Sequence, residues 1–398
     1  MKRIASIAGG LVGLALAVLL LTEHVYLLRA VRVTWLRGNG DVTIHDHRVQ
    51  PTRVVHAGEH APWPLHASYN EIPVSDEVLA LLDERRSLAF LVIHDGRILS
   101  EHYFAEGGQD EASGVWSISK TYTCLLLLQA VEDGFIGSVD DPVSLYLPEI
   151  DFDQDEELTL RHLASMSTGL FWDEQNHTPF SLIAKLNFTF DLEEYTLEDM
   201  YATGEPGREQ HYNSGGTQML GTVLDRALPD TTTISDYLSR SFWKPLGCAH
   251  DARFVVDRRR DGLERTFGGL VATARDISRT GQLILDDGIW NGERILSEPS
   301  MDLLTTLPYR NETYTFGLWT GLYDGERFYY QAGFGGQYVI TVPSHDLVIT
   351  RLGHEASPRE DIEDVSPDVL VFIDEAVRMV EEQMEDVGGT RHRDQTIL

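Results

Sequence analysis

Hydrophobic and polar positions follow two patterns along this chain, one typical of strands and one typical of helices. The order of these patterns predicts the fold. An apolar run over residues 88–93 meets the turn Asp95-Gly96, and a second strand pattern covers residues 97–104. Two strand patterns around an Asp-Gly turn predict a β-hairpin. Apolar positions then recur at helical spacing through the middle of the chain, and strand patterns return near its end. The predicted helices cover residues 117–132, 158–166, 217–227 and 274–286, and the later strands cover residues 316–322, 327–331, 337–342 and 347–352.

This order of strands, helices and strands predicts the fold class. An α+β domain is expected, in which helices flank an antiparallel sheet and a helical subdomain is inserted into it. Ser75 is the predicted cap of a helix that ends near residue 85, and an amphipathic helix over residues 367–384 closes the pattern. We therefore place the main domain at residues 75–386, followed by a flexible tail over residues 387–398.

The N-terminus has the pattern of a membrane anchor. Lys2 and Arg3 precede an almost uninterrupted apolar run over residues 4–21, which matches the ~20 residues that a bilayer-spanning helix requires. The run exceeds the core of a signal peptide, and no small-x-small cleavage site follows it, so a retained transmembrane helix is favoured over a cleaved signal. We predict an anchor over residues 1–28 and a spacer or irregular arm over residues 29–74.

Charge and cysteine content narrow the classes of function. The formal net charge is −31 at pH 7, which opposes binding to nucleic acids because they are polyanions. Cys124 and Cys248 are far apart and show neither a metal-binding nor a disulfide spacing. The triplet His45-Asp46-His47 resembles part of a metal site, but no second cluster follows at ligand spacing, so a solvated loop is the favoured interpretation. We expect no metal, no organic cofactor and no nucleic-acid partner.

A Ser-x-x-Lys motif, Ser117 to Lys120, opens one predicted helix. Residues three apart lie on one helical face, so the lysine amine can reach the serine hydroxyl. A serine is a weak nucleophile until a base removes its proton, and the dipole of the helix disfavours charge on the nearby lysine. Ser241 and Lys244 repeat the spacing, but they end a helical stretch just before a proline. At this point a plain helix cap with a surface lysine stays the alternative interpretation of Ser117 and Lys120.

Two further segments carry candidate chemistry. Tyr212 follows a Pro-Gly turn, and near a cation its phenolate would be favoured and would relay protons. A tyrosine of the core is the alternative. The strand over residues 331–337 contains three glycines, which allow a ligand to approach the backbone. A free amide there would join the amide of Ser117 in binding an oxyanion, whereas a simple bulge or hairpin bend is the alternative.

Taken in this order, Ser-x-x-Lys, a tyrosine in a turn and a glycine-rich strand resemble the serine β-lactamase-related family of class C β-lactamases, penicillin-binding peptidases and their relatives. The phrases that connect the motifs also match, over residues 160–170, 245–247 and 268–276. Residues 211–215 and 334–337 are most similar to the 6-aminohexanoate-dimer hydrolase-like members. The resemblance extends over about residues 75–353.

The resemblance implies a β-lactamase/transpeptidase-like fold whose site lies between the sheet and the helical subdomain. It further implies a serine hydrolase that cleaves small esters or amides through an acyl-enzyme. In that mechanism Ser117 is the nucleophile, and Lys120 and Tyr212 transfer its proton. The residues expected to bind the oxyanion and the substrate are Phe334, Gln331, Gly333 and Ser214.

Two departures from the family pattern bear on the substrate. The tyrosine motif ends in Ser214 where the family often has Asn, and the third motif reads Gln331-Ala332-Gly333 where the family often has Lys-Thr-Gly. The second departure removes the cation that β-lactamases and peptidases present to a substrate carboxylate. A D-alanyl peptidase or β-lactamase acting on cell-wall peptides or β-lactams stays one alternative, and a non-catalytic ligand-binding sensor on the same fold stays another. An α/β-hydrolase is disfavoured because its G-x-S-x-G elbow is absent.

The expected partners are a small-molecule ester or amide and a membrane, which the N-terminal helix would enter. Lys2 and Arg3 on one side of the apolar run are balanced by Arg29, Arg32 and Arg37 on the other, so the flanking charges leave the orientation open. By analogy with the family, we expect the catalytic domain on the periplasmic or extracytoplasmic side of the membrane. The oligomeric state is left open.

Overall fold

A computed structural model describes residues 19–152, 155–175, 178–308, 313–359, 361–362 and 364–394. Residues 1–18 of the predicted anchor over residues 1–28, which hold most of its apolar run, lie outside these ranges, as does the end of the predicted tail. Within these ranges, no helix combines the length and the apolar character that a membrane crossing requires. The anchor therefore stays a prediction from the sequence.

The strands form a six-stranded sheet, a four-stranded sheet and a short two-stranded ribbon. The strands of the described residues, in chain order, are β1 (Thr52–Val55), β2 (Ser87–His94), β3 (Arg97–Tyr103), β4 (Ser113–Gly114), β5 (Ala252–Val255), β6 (Leu270–Ala272), β7 (Ile289–Trp290), β8 (Glu293–Arg294), β9 (Trp319–Tyr323), β10 (Glu326–Gly333), β11 (Gln337–Val342) and β12 (Leu347–Gly353). The large sheet has the order β3-β2-β12-β11-β10-β9 and is antiparallel throughout. The predicted hairpin is β2 and β3, joined at Asp95-Gly96, where both residues have positive φ.

Helices lie on both faces of the large sheet and fill the middle of the chain. The helices of the described residues are α1 (Tyr26–Val33), α2 (Asp76–Glu84), α3 (Ile118–Glu132), α4 (Leu160–Ala164), α5 (Leu182–Phe188), α6 (Leu192–Glu198), α7 (Ser214–Ala227), α8 (Ile234–Leu238), α9 (Ala274–Leu285), α10 (Glu298–Thr305) and α11 (Pro367–Asp394). The expected α+β architecture, with a helical region inserted between two groups of strands, is confirmed. Ser75 caps α2 as predicted, because its side chain accepts a hydrogen bond from the amide of Val78.

Alternation along β2 shows how the sheet is buried on both sides. Leu91 and Ile93 point into the core cluster that contains the inserted helices and α9. Phe90 and Val92 point to the opposite face, where the ring of Phe90 lies 5.3 Å from that of Phe372 in α11. A strand buried on both faces reads as a continuous apolar run, which is why the sequence pattern at residues 88–93 was clear.

The predicted irregular arm over residues 29–74 is wrong in two stretches. Helix α1 begins inside the predicted anchor region and ends within the arm, and Arg29 donates hydrogen bonds to the carbonyl oxygens of Thr189 (2.6 Å) and Asp257. Strand β1 pairs with β5, about 200 residues further along the chain, as the edge of the four-stranded sheet. Neither element has sustained periodicity of its own, because each is stabilised by contacts with distant segments.

Candidate active site

Ser117 lies at the point where a strand becomes a helix. Strand β4 pairs with β6, and the amide of Val115 donates to the carbonyl oxygen of Leu270 at 2.9 Å. Trp116 then adopts a left-handed conformation with φ of 49°, and Ser117 occupies the N-cap position of α3 without a capping hydrogen bond from its side chain. A non-glycine residue in this region costs about 1–3 kcal/mol, and such strain concentrates at functional sites. The turn presents the Ser117 side chain to a cavity instead of to the core.

Lys120 meets the serine as the motif predicted. Its Nζ donates to Ser117 Oγ at 2.8 Å and to the carbonyl oxygen of Phe267 at 2.9 Å. The side chain is 1% exposed. Burial lowers the pKa of Lys120 to about 8, although the carboxylate of Glu174 acts in the opposite direction. A buried amine with a lowered pKa can hold a serine proton, whereas a surface lysine with its ordinary pKa cannot do so at neutral pH.

Tyr212 also contacts Ser117, but as a neutral phenol and not as the phenolate that was expected. A hydrogen bond joins its hydroxyl to the Ser117 side chain, and its ring centre lies 4.9 Å from Lys120 Nζ. Burial raises the pKa of Tyr212 well above its usual value, and the charge of Glu174 raises it further, against the opposing effect of the hydrogen bond with Ser117. The expected phenolate is therefore wrong, since the desolvation of a buried phenol outweighs the attraction of the nearby amine. The stacked ring of Trp319, 5.0 Å away, holds Tyr212 in place.

Glu174 is a carboxylate of this site that the sequence analysis did not identify. Its side chain accepts a hydrogen bond from Ser214 Oγ at 2.7 Å and another from Trp172 Nε1 at 2.5 Å. Glu174 and Ser214 both line the cavity, and the charge of Glu174 acts to raise the pKa values of Lys120 and Tyr212. The segment before Glu174 carries no motif of its own, so only the fold brings this carboxylate to the serine.

The neighbouring Asn213 has a structural task. Its side chain accepts a hydrogen bond from the amide of Gly216 at 2.8 Å and caps α7. Gly215 is required by close packing, because a Cβ atom there would stand 2.7 Å from the ring of Trp172. Ser214, at the position where the family often has Asn, is thereby turned toward Glu174.

The end of β10 lines the cavity next to the serine segment. Gly333 packs directly on the backbone before the serine, and a Cβ atom there would stand 2.3 Å from the carbonyl oxygen of Val115. The rings of Trp116 and Phe334 meet edge to face with centres 5.9 Å apart. Phe334 and Ser117 both line the cavity. The two segments that were expected to supply oxyanion donors therefore lie side by side.

Gln331 does not line the cavity, so the expectation that it binds substrate is wrong. Its side chain is 1% exposed and donates through Nε2 to Thr280 Oγ1 of α9 at 3.0 Å. Side chains alternate along a strand, so Gln331 faces α9 while Ala332 lines the cavity. A buried amide that is already paired with a helix is a structural group.

Arginines near the site divide into a structural one and an accessible one. Arg351 is buried and donates to the carbonyl oxygens of Gly335 and Gly336 at 2.8 Å each, which fixes the turn after β10. Both glycines have positive φ in this turn. Arg359 is exposed and, among the described residues, is the only arginine or lysine in the cavity wall.

The cavity has a volume of about 870 Å³. One side is the serine site itself, with Ser117, Tyr212 and Glu174, and the turn after β10 forms the adjacent side. Apolar residues of α1 close a third side. Helix α1 packs on α5, and Arg29 of α1 donates a hydrogen bond to the carbonyl oxygen of Thr189 just beyond the end of α5.

Comparison with known proteins decides the family. The family described as "Beta-lactamase" matches residues 76–368, which is well over half of the chain. The chain belongs to the beta-lactamase family. The resemblance found in the sequence is thereby confirmed, and so is the β-lactamase/transpeptidase-like fold.

Named relatives of this beta-lactamase family member include hydrolases. The chain is 26% identical over 230 residues to the 6-aminohexanoate-dimer hydrolase of Paenarthrobacter ureafaciens, covering 54% of this chain and 56% of that protein. It is 28% identical over 197 residues to beta-lactamase-like protein 2 of Dictyostelium discoideum, covering 42% of this chain and 35% of that protein. The chain thus spans little more than half, or less, of the length of these two relatives. The hydrolase name agrees with the prediction of a serine hydrolase.

Solved structures show the same fold at low identity. A candidate 6-aminohexanoate-dimer hydrolase from Bacillus anthracis superimposes with a TM-score of 0.68 at 19% identity, covering 86% of this chain and 94% of that one. A family VIII carboxylesterase superimposes with a TM-score of 0.61 at 15% identity, covering 79% and 98%. At these identities the likeness establishes the fold alone.

Proposed function

We propose that this protein is a serine hydrolase that cleaves small esters or amides through an acyl-enzyme formed on Ser117. The observation that carries the proposal is the 2.8 Å contact between Lys120 Nζ and Ser117 Oγ, made by a buried lysine whose pKa is lowered to about 8. Such an amine is a competent general base near neutral pH. A ligand-binding sensor would need the cavity but not this pairing.

The proposed reaction has two steps. Ser117 Oγ attacks the substrate carbonyl while its proton passes to the Lys120 amine. The backbone amides of Ser117 and Phe334 are the proposed donors to the developing oxyanion. Tyr212, a neutral phenol, hands a proton to the departing alcohol or amine and is reprotonated from Lys120. Water then attacks the acyl-enzyme by the reverse proton route and releases the acid.

Substrate preference follows from the cavity wall. Apolar groups from α1 and the ring of Phe334 suit acyl chains, and two of the similar proteins are named as a 6-aminohexanoate-dimer hydrolase and a carboxylesterase. Gln331 supplies no cation, so the charge-assisted contact that β-lactams require has to come from elsewhere. Arg359 lines the cavity, where its guanidinium can donate hydrogen bonds to the carboxylate of a small linear amide.

The test compares three substrates with one enzyme preparation. Values of kcat/KM are measured for an aryl butyrate ester, a small linear amide that carries a carboxylate, and a chromogenic cephalosporin. The ester is expected to turn over readily, the amide measurably and the cephalosporin poorly. Efficient cephalosporin hydrolysis with little ester turnover would favour a β-lactamase or peptidase, and no turnover or acylation by any of the three would favour the sensor.

We also propose that the chain is held at a membrane, with the hydrolase domain on the extracytoplasmic side. The apolar run over residues 4–21 supports this, and Leu20 and Leu21 at the end of that run are 67% and 84% exposed. Full-length protein should pellet with membranes and resist extraction by high salt. A chain that starts at Glu23 keeps α1 and should be recovered without detergent, and full-length protein that behaves in the same way would contradict an anchor.

A further inference from the structure

Two histidines and a glutamate from three distant parts of the chain meet beside the active-site cavity. His45 lies in the N-terminal arm, Glu106 follows β3, and His354 follows β12. His45 Nε2 lies 3.2 Å from Glu106 Oε1, and His354 Nε2 lies 3.1 Å from the same oxygen. In the described part of the chain, this is the one group of three such side chains whose ligand atoms all lie within 4.8 Å of one another.

These distances fit a zinc ion. Zn²⁺ bonds imidazole nitrogen and carboxylate oxygen at about 2.0–2.2 Å, so two ligands of a tetrahedral ion stand about 3.3 Å apart. The two nitrogen-to-oxygen distances are already at that separation. Only the two imidazoles have to approach each other, and their rings are 5.7 Å apart, edge to face.

The exposure of the three side chains suits entry of an ion from solvent. The histidine side chains are each 14% exposed, whereas that of Glu106 is 50% exposed. The imidazoles are therefore fixed by their surroundings while the carboxylate can swing onto an ion. Three protein ligands leave a fourth position to water.

We propose that His45, Glu106 and His354 form a binding site for one Zn²⁺ ion that joins the N-terminal arm to the hydrolase domain. Of these three ligands, the sequence analysis considered only His45, as part of the triplet His45-Asp46-His47. Glu106 and His354 follow it by 61 and 309 positions in the chain. His47 is not a ligand, because its Nδ1 faces the carbonyl oxygen of Ile44 at 3.1 Å and its ring nitrogens are not among the ligand atoms that lie within 4.8 Å of one another.

The position of the site gives the ion a structural consequence. The carbonyl oxygen of Ile44, next to His45, accepts a hydrogen bond from the amide of Gly114 at 2.8 Å, three residues before Ser117. On the other side, the backbone of His354 packs against Gly335 in the turn after Phe334. Zinc would therefore tie together the two backbone segments that flank the serine. The ion acts through these segments and takes no part in the reaction, so the inference is independent of the proposed hydrolase activity.

Zinc titration of the metal-free full-length chain tests the site. The chain is stripped with a chelator, and ZnCl₂ is titrated in competition with a chromophoric zinc indicator. We expect one ion per chain, with affinity reduced at least about 100-fold by His45→Gln, by Glu106→Gln and by His354→Gln, since even second-shell changes cost 10–100-fold. Co²⁺ in place of zinc should give the intense visible absorption of a tetrahedral site.

His250→Gln is the matched control, because His250 also lies beside carboxylates, Asp110 and Asp276, but contacts them through different ring nitrogens. That variant should bind zinc as the wild type does. Thermal unfolding provides a second readout: zinc should raise the Tm of the wild type and of His250→Gln but not that of His45→Gln. The proposal is overturned if the wild type takes up no zinc at micromolar concentrations, or if the three ligand variants bind it as tightly as the wild type.

Discussion

The chain contains the same four-residue pattern twice, and only one copy places its lysine amine in contact with its serine hydroxyl. In the first, Lys120 is 1% exposed and its amine lies 2.8 Å from Ser117 Oγ. In the second, Lys244 is exposed at the end of a π-helical turn, and the Ser241 hydroxyl is hydrogen-bonded to Tyr237. The three-residue spacing is therefore not sufficient by itself to bring a lysine amine to the serine hydroxyl.

The difference between the two copies is one of environment. The first pair begins a helix after a strained residue, faces a cavity and is surrounded by Tyr212 and the carbonyl oxygen of Phe267. Burial lowers the pKa of Lys120, so a larger fraction of the amine is neutral near pH 7 and able to take the serine proton. Ser241 and Lys244 therefore provide an internal control for every test of Ser117 and Lys120.

The largest effect is expected from Ser117→Ala. Hydrolysis should fall to background because the hydroxyl supplies the covalent bond, while the fold should persist because the side chain does little packing. Ester turnover and circular dichroism measure the two properties. The matched variant Ser241→Ala should keep wild-type turnover, and an equal loss in both variants would remove the distinction between the copies.

Lys120→Arg should cost nearly as much. Arginine keeps the charge but cannot release its proton, so no base is left for Ser117. Because the pKa of Lys120 is lowered to about 8, wild-type kcat/KM should rise with pH up to about 8 and then level off as the amine becomes neutral. A pH profile of ester hydrolysis measures this rise, and Lys244→Arg should leave it in place. A flat profile between pH 6 and 9 would argue against Lys120 as the base.

Tyr212→Phe should lower kcat/KM by roughly 10²–10⁴-fold, the usual scale of proton-transfer assistance. The loss should be greater for an amide than for an aryl ester, because an amine leaving group needs a proton more. Tyr330→Phe is the control within the same aromatic stack, since its hydroxyl is buried without a partner among the described residues. Similar losses in the two variants would assign the effect to packing.

The smallest effect is expected from Arg359→Ala. Turnover of a carboxylate-bearing amide should fall about 10-fold, because the contact is charge-assisted but exposed to solvent. Aryl ester hydrolysis should be unchanged. Arg327→Ala serves as control, as Arg327 donates to Thr320 Oγ1 at 3.1 Å and lies outside the cavity wall. Equal losses on ester and amide would show that Arg359 supports the fold and does not bind substrate.

Elements with strong local signals were predictable from sequence. The hairpin of β2 and β3, the helix that follows Ser117 and strand β11 all carry clear periodicity or turn residues, and they lie where they were expected. The contact between Ser117 and Lys120 was predicted from the Ser-x-x-Lys motif together with its position at the start of a helix. Helix α4 is shorter than predicted because Thr159 caps its start and Met166, beyond its end, has a positive φ.

What the sequence could not supply depends on long-range packing. Glu174 reaches the site only through the chain fold. Gln331 was expected at the site from its position in the family motif, whereas its buried side chain is hydrogen-bonded to Thr280 of α9. The neutral state of Tyr212 follows from its complete burial, which no local pattern reveals. The pairing of β1 with β5 and the contact between the rings of His45 and His354 likewise join residues that are distant in sequence.

Covalent labelling measures the central claim most directly. The full-length chain is incubated with a fluorophosphonate, and the adduct is counted by intact-mass spectrometry and located by peptide mapping. The account predicts one adduct per chain, on Ser117, formed much more slowly in Lys120→Arg and absent in Ser117→Ala, with Ser241 unlabelled. An adduct on another serine, together with wild-type ester turnover in Ser117→Ala, would contradict it.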